Sequence, residues 1–359
     1  MSIVNMEVKT TTRRSGIELL RIIAATMVVM SHMVPLLLNS GQIGGGNLFA
    51  INLLRSVSVS AVNIFILISG YFLWQNQKRS LGKALNLLVL MIVINVSSYI
   101  VQVIIGKTPF ALHVFFRYFF VANYFVTLYL VLYFVSPYIN LVLQQLTDRG
   151  WKIFITMLLS FFSIYAISVD LIGEIFSTDI LGLSSIGREG SQHGYNIVNF
   201  ILLYCLGAFL SAQKAQVLKY KNSTIIVVSI ICTIAIFMWS EMGQLLSGYR
   251  NSAHSYHNPF VILLAISIFI LFERMSFRNR LINNFAKAAF ATFLMHQHFF
   301  HFLPISTIIN LPTVLFIATI ICLFLSIYLI SWIVWKIYDF ICGPVFRYLD
   351  KVQVPNVMN

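Results

Sequence analysis

Ten apolar runs of membrane-spanning length constrain this chain more than any other feature. They fall at about residues 17–38, 48–73, 84–105, 118–143, 151–172, 195–213, 223–245, 258–273, 286–304 and 311–335. A bilayer core is crossed by roughly 20 apolar residues of helix. Inside it every backbone amide must be satisfied by the chain itself, which leaves helices and closed barrels as spanning structures. Runs of this length predict an all-α integral membrane protein, a bundle of about ten transmembrane helices. The division that follows is a tail over 1–15, a ten-span domain over 16–336 and a second tail over 337–359. Only 10% of the 359 residues are charged and 59% are apolar, whereas soluble domains carry about 25% charge. A large water-soluble catalytic domain is excluded, so any site lies among the helices and their loops.

An even number of crossings places both termini on one side, and the basic residues say which. Eighteen Lys and Arg fall on the side of the termini, four (Lys107, Arg117, Arg188, Arg250) on the other, and Arg21 and Arg55 lie within spans. By the positive-inside rule the N and C termini are expected in the cytoplasm of a multi-pass cell (plasma) membrane protein. The net charge of +13 is scattered in short groups and not gathered on one face, so no nucleic acid is expected as partner. Cys205, Cys232, Cys322 and Cys342 show no CxxC or CxxH spacing and read as small buried hydrophobes. Lys9–Arg14 lead into a segment too long for a cleavable signal. Two outer loops stand out: 173–194 with Glu174, Asp179, Arg188, Glu189 and His193, and 241–257 with Glu241, Arg250, Asn251, His254 and His257. An extracytoplasmic acceptor would be met there.

Ionisable groups inside spans are costly and therefore functional suspects. The first span holds three, Glu18, Arg21 and His32. At 100° per residue, the step from Arg21 to His32 ends about 20° past three full turns, so Glu18, Arg21, Ala25, Val28 and His32 share one face. Glu18 and Arg21 can pair at i,i+3, and His32 sits about 16 Å further along the axis. A structural ion pair with a packing histidine would produce the same stripe. The functional reading is a cation for phosphate near the cytoplasmic mouth and a titratable imidazole deeper inside. The second span adds Asn52, Arg55 and Asn63, then Ser69-Gly70 where backbones can approach closely. The fourth carries Asn123, Tyr124, Thr127, Tyr129 and Tyr133, with Pro137 expected to kink or end the helix. In the ninth, beyond His296, His298 and His301 are i,i+3 neighbours of each other, but no carboxylate completes a shell, and no metal is expected.

Ile17-Glu18-Leu19-Leu20-Arg21-Ile22-Ile23-Ala24-Ala25, followed by Val28-Val29-Met30-Ser31-His32, resembles the opening of the acyltransferase family 3 membrane proteins. Ile64–Phe72, with Ser69-Gly70-Tyr71, is similar to that family's segment at the end of the second helix. Tyr129–Asn140, Phe200–Ala208 and Ala289–His296 continue the resemblance in order along most of the chain. The resemblance implies an O-acyltransferase that moves an acyl group, usually acetyl, from cytoplasmic acyl-CoA to a hydroxyl of a cell-surface glycan or lipid-linked sugar. Arg21 and His32 match the family's key pair, and Ser69 and Gly70 its second motif. An Arg-x-x-Arg motif found in some members has no counterpart here. The chain ends shortly after its last span, which leaves two expectations: a partner protein presents the acceptor, or the helices engage it directly. The expected site is then His32, Arg21 and Glu18 for catalysis, with Arg21, Ser69, Gly70, Lys78 and Arg79 for acetyl-CoA. Arg55, Asn63, Tyr124 and His296 are expected to meet the acceptor. His32 is either general base or acyl carrier. A transporter or flippase of lipid-linked glycan shares the multispan build, and a glycan polymerase or ligase would want larger, more charged outer loops.

Overall fold

The computed structural model describes residues 14–41, 43–120, 123–178, 180–217, 219–248 and 252–351. Lys9, Arg13, Asp179, Arg250 and Asn251, named above, lie outside them. The described residues form helices and no strand: α1 Ser15–Leu38, α2 Gly45–Ser58, α3 Ala61–Leu73, α4 Leu81–Ile104, α5 Leu112–Arg117, α6 Tyr124–Gln144, α7 Asp148–Leu159, α8 Ala166–Phe176, α9 Ile197–Ala212, α10 Lys214–Val217, α11 Asn222–Ser247, α12 Pro259–Glu273, α13 Arg280–Phe285, α14 Ala289–Phe300, α15 Ile305–Ile309, α16 Thr313–Ile341 and α17 Gly343–Leu349. Polar side chains start many of them. Asn123 accepts from Phe125 N and Val126 N, Thr147 from Gly150 N, and Asn258 from Phe260 N beside Pro259. These caps satisfy amides that the first helical turn leaves free.

Among the described residues eight helical stretches are long and apolar enough to cross a membrane, with α2–α3 (Gly45–Leu73) and α7–α8 (Asp148–Phe176) each counted as one. Two of the ten expected runs fold into shorter ones: α9 has 16 residues and α14 has 12. At 1.5 Å per residue they reach about 24 and 18 Å, short of the ~30 Å hydrocarbon core. Both are packed inside the bundle, α9 burying ten of its residues and α14 seven. The run over 48–73 is broken at Val59–Ser60 into α2 and α3, without a proline. Around the break Ser56 Oγ donates to Asn52 O at 2.8 Å and Ser60 Oγ to Val57 O at 2.9 Å, hydroxyl contacts that bend helices.

Pro137 does not end its helix. α6 runs through it to Gln144, and the Tyr133 carbonyl that the proline leaves without an amide accepts from Arg79 Nε at 3.0 Å and Ser136 Oγ at 2.8 Å. The closest helix contact joins α3 and α9. A Cβ on Gly70 would run into the Tyr204 carbonyl, and one on Gly207 into the Leu67 carbonyl, so the two glycines let the backbones touch reciprocally. At the end of the bundle carrying the termini, Arg14 and Lys214 meet Glu273 at 2.7 and 2.6 Å, and Tyr71 Oη donates to the same oxygen at 2.9 Å. Asp350 accepts from Ser80 Oγ at 2.7 Å there. At the far end, Asn47 Nδ2 donates to Leu311 O at 2.8 Å.

Candidate functional site

α1 and α14 run parallel, side by side. Ala25 shares a buried cluster with Ala288 and Ala289, and seven residues further on each helix the rings of His32 and His296 stand 4.9 Å apart. Seven residues is about 10.5 Å on either axis, so the two helices keep level. His296 is 2% exposed and its Nδ1 lies 2.6 Å from the Phe293 carbonyl. A carbonyl can only accept, so Nδ1 carries the hydrogen and Nε2 is left with its lone pair. That Nε2 is buried without a partner. His32 is half-buried beside it.

Nearer the end with the termini, Glu18 accepts from Arg21 Nη1 at 2.6 Å, with the Arg21 side chain 35% exposed. The pairing expected from i,i+3 spacing is present. Arg21 lines a cavity of about 270 Å³ with Ser69, Leu87, Phe125, Tyr129, Lys287, Phe293 and their neighbours. Ser69 Oγ donates to Phe65 O at 3.0 Å and lies 3.3 Å from Tyr129 Oη, which puts hydroxyls on the wall. Lys287 also stacks over Trp335 at 5.8 Å. Two cations and one carboxylate thus mark this end of the cavity. At its other end Phe125 and Phe293 are 4.9 Å apart, and Phe293 touches His296 at 6.1 Å. Phe293 to His296 is one helical turn. A single layer of rings therefore stands between the cavity and the histidine pair.

The remaining expected residues are dispersed. Gly70 faces α9 and does not line the cavity. Lys78 is exposed; Arg79 is 2% exposed and its donors go to the Tyr133, Asn76 and Lys78 carbonyls and to Ser136 Oγ. Neither borders the Arg21 cavity. Arg55 is half-buried on α2. Asn63 donates to Tyr256 O at 2.8 Å, and its Oδ1 is buried without a partner. Tyr124 reaches Tyr256 Oη at 3.4 Å and packs on Tyr195 at 5.0 Å. Tyr129 and Phe293 are not site candidates by sequence, and Lys287 is one only as the end of the basic stretch Arg274–Lys287, which is expected to draw acyl-CoA phosphates along with Arg21. A lysine and a tyrosine inside apolar runs were visible signals, but nothing local placed them in one cavity with Arg21. Among the described residues no group of three His, Cys, Asp or Glu is placed to hold a metal.

What this arrangement defines is a helical membrane protein with a basic-mouthed cavity aimed at a buried histidine pair. A family model described as an acyltransferase domain matches residues 14–336, nearly the whole chain. The chain belongs to acyltransferase family 3. No curated protein and no solved structure matches it significantly.

Proposed function

We propose that the protein is an O-acyltransferase of the plasma membrane that carries an acyl group, acetyl first among candidates, from cytoplasmic acyl-CoA to a hydroxyl of an extracytoplasmic or lipid-linked glycan. The observation that carries this reading is the alignment of the Arg21–Lys287 cavity with the His32–His296 pair along two parallel helices. The topology that suits it has ten crossings and cytoplasmic termini, with α9 and α14 as short, enclosed crossings. Acyl-CoA phosphates meet Arg21 and Lys287, since guanidinium and ammonium groups recognise phosphate. The pantetheine arm lies along Ser69 and Tyr129, and rotation of Phe293 admits the thioester to His32.

His32 then accepts the proton of the acceptor hydroxyl as that oxygen attacks the thioester carbon. The C–S bond breaks, the ester forms, and the CoA thiolate leaves with the proton held by the imidazolium. His296, fixed with its lone pair at Nε2 and its ring 4.9 Å from that of His32, accepts from the His32 ring once His32 turns toward it, and so aligns it. Burial excludes water, which protects the thioester from hydrolysis. Glu18 keeps Arg21 extended toward the cavity.

The test is acyl-CoA consumption and sugar acylation by purified protein in proteoliposomes. General acid–base help is worth about 10²- to 10⁴-fold, so His32→Ala is expected to lose turnover on that scale while melting normally. Full transfer by His32→Ala overturns the role of His32. Movement of lipid-linked glycan without acyl-CoA consumption would instead make the chain a flippase. An acyl-histidine trapped on acid quench would replace base catalysis by covalent catalysis.

A further inference from the structure

A second cavity lies at the far end of the bundle, of about 450 Å³, lined by Asp170, Gly173, Glu174, Ser177, Thr178, Ile180 and 189–193. That volume falls within the roughly 300–1,000 Å³ of small-molecule sites. Its walls are built, not incidental. A π-helical turn, Ser160–Tyr165, between α7 and α8 brings Ser163 Oγ to the His257 carbonyl at 2.6 Å. His257 is fully buried and its Nε2 stands 3.3 Å from Asp170 Oδ2. Ser191 Oγ donates to the same oxygen. Glu174 is fixed too, its oxygens taken by Ser252 N at 2.7 Å and by Ser252 Oγ. Asn196 holds the Ser191 carbonyl at 2.6 Å, and Tyr256 N donates to His193 O at 2.9 Å.

Asp170 is 8% exposed, and both of its contacts use Oδ2. Oδ1 is left on the cavity side, 3.9 Å from where a Gly190 Cβ would stand. The two Oδ2 contacts hold the carboxylate in place, and Oδ1, facing the cavity with no protein donor on it among the described residues, is left to accept from a ligand. Among the described residues three carboxylates line or rim the space (Asp170, Glu174, Glu189) and no Lys or Arg does; Arg188 is exposed in the same loop and outside the lining. An anionic ligand is therefore repelled. No described set of side chains suits a metal, so the donors sought are hydroxyls. Beside the cavity, Tyr195 N donates to the Gln192 carbonyl at 2.9 Å, and the Tyr195 and Tyr124 rings pack at 5.0 Å with 43% and 37% of their surface open. Fixed carboxylates in the cavity, with the part-exposed Tyr195 and Tyr124 adjoining its Gln192 rim, match the polyhydroxylated edge and the apolar C–H face of a pyranose.

We propose that this cavity binds one uncharged, hydroxyl-rich sugar unit of the acceptor and rejects acidic sugars, with Asp170 Oδ1 accepting from a sugar hydroxyl. As an acceptor site it rests on the acyl-transfer reading above; as a sugar site it stands on the cavity alone. The test is saturation-transfer NMR on the full chain in nanodiscs, with neutral oligosaccharides and uronic-acid oligosaccharides of equal length. Neutral sugars are expected to bind and acidic ones not. Asp170→Asn is expected to weaken neutral-sugar binding at least tenfold. Glu189→Lys, at an exposed position that leaves the buried network intact, is expected to weaken neutral sugar several-fold and let the acidic one bind. Equal binding of both sugars to the wild type, preference for amines, or sugar binding indifferent to both variants overturns the proposal. His32-dependent acyl-CoA consumption alongside any of those results leaves the acyltransferase reading standing. Neutral-sugar binding without acyl-CoA consumption sinks that reading and keeps the sugar site.

Discussion

At the residue scale the site depends on which polar groups are spoken for. Arg21 shares its charge with one carboxylate and keeps a third of its side chain open, whereas Arg79 has its donors committed to carbonyls and a serine. A charge-assisted hydrogen bond contributes about 1.5–3 kcal/mol. Arg21→Ala is accordingly expected to raise the KM for acyl-CoA about 10- to 100-fold with kcat changed far less, read from steady-state kinetics. An unchanged KM would make Arg21 structural. The stripe of Glu18, Arg21 and His32 was legible from the sequence because a helix's own period sets it. Arg79 was not: a basic residue in a loop looks like a phosphate ligand until the proline-freed Tyr133 carbonyl is found beside it. Asp170 carried a readable signal, an acid inside a spanning run, that the loop residues around it overshadowed.

Among the elements, α3 and α9 depend on two glycines more than on any charge. Gly70→Val would force a branched side chain into the Tyr204 backbone on α9, and Tyr204 Oη donates to Asn140 Oδ1 on α6 at 2.8 Å. Overpacking costs about 1–3 kcal/mol, so this variant is expected to melt earlier in detergent by an amount of that order. A stability equal to wild type would mean that the helices can separate freely. The helices themselves were readable as apolar runs. Their lengths were not, because hydropathy does not distinguish a helix facing lipid from one such as α14 that is enclosed by protein, and an enclosed helix can stop short. The break at Val59–Ser60 was likewise hidden, since serine hydroxyls make it in place of a proline or glycine.

For the whole molecule the decisive quantity is sidedness. If the basic loops face the cytoplasm, single cysteines placed at Lys78 and Lys351 are expected to resist a membrane-impermeant thiol reagent in intact cells, while one at Glu189 reacts. The reverse pattern would invert the donor and acceptor ends and sink the proposed direction of transfer. Sequence alone determined that the chain is helical and membrane-bound, its family, and one polar stripe with Arg21 and His32 about 16 Å apart. Those properties are local: hydropathy over some twenty residues and a helix's angular period suffice to set them. Tertiary structure alone decided that His296, 264 positions away, is the ring beside His32, that Lys287 and Tyr129 share Arg21's cavity, and that Asp170, Ser191 and His257 converge on one another. Each of these pairings joins segments distant in the chain, and helix propensity and hydropathy are indifferent to which segments pack together.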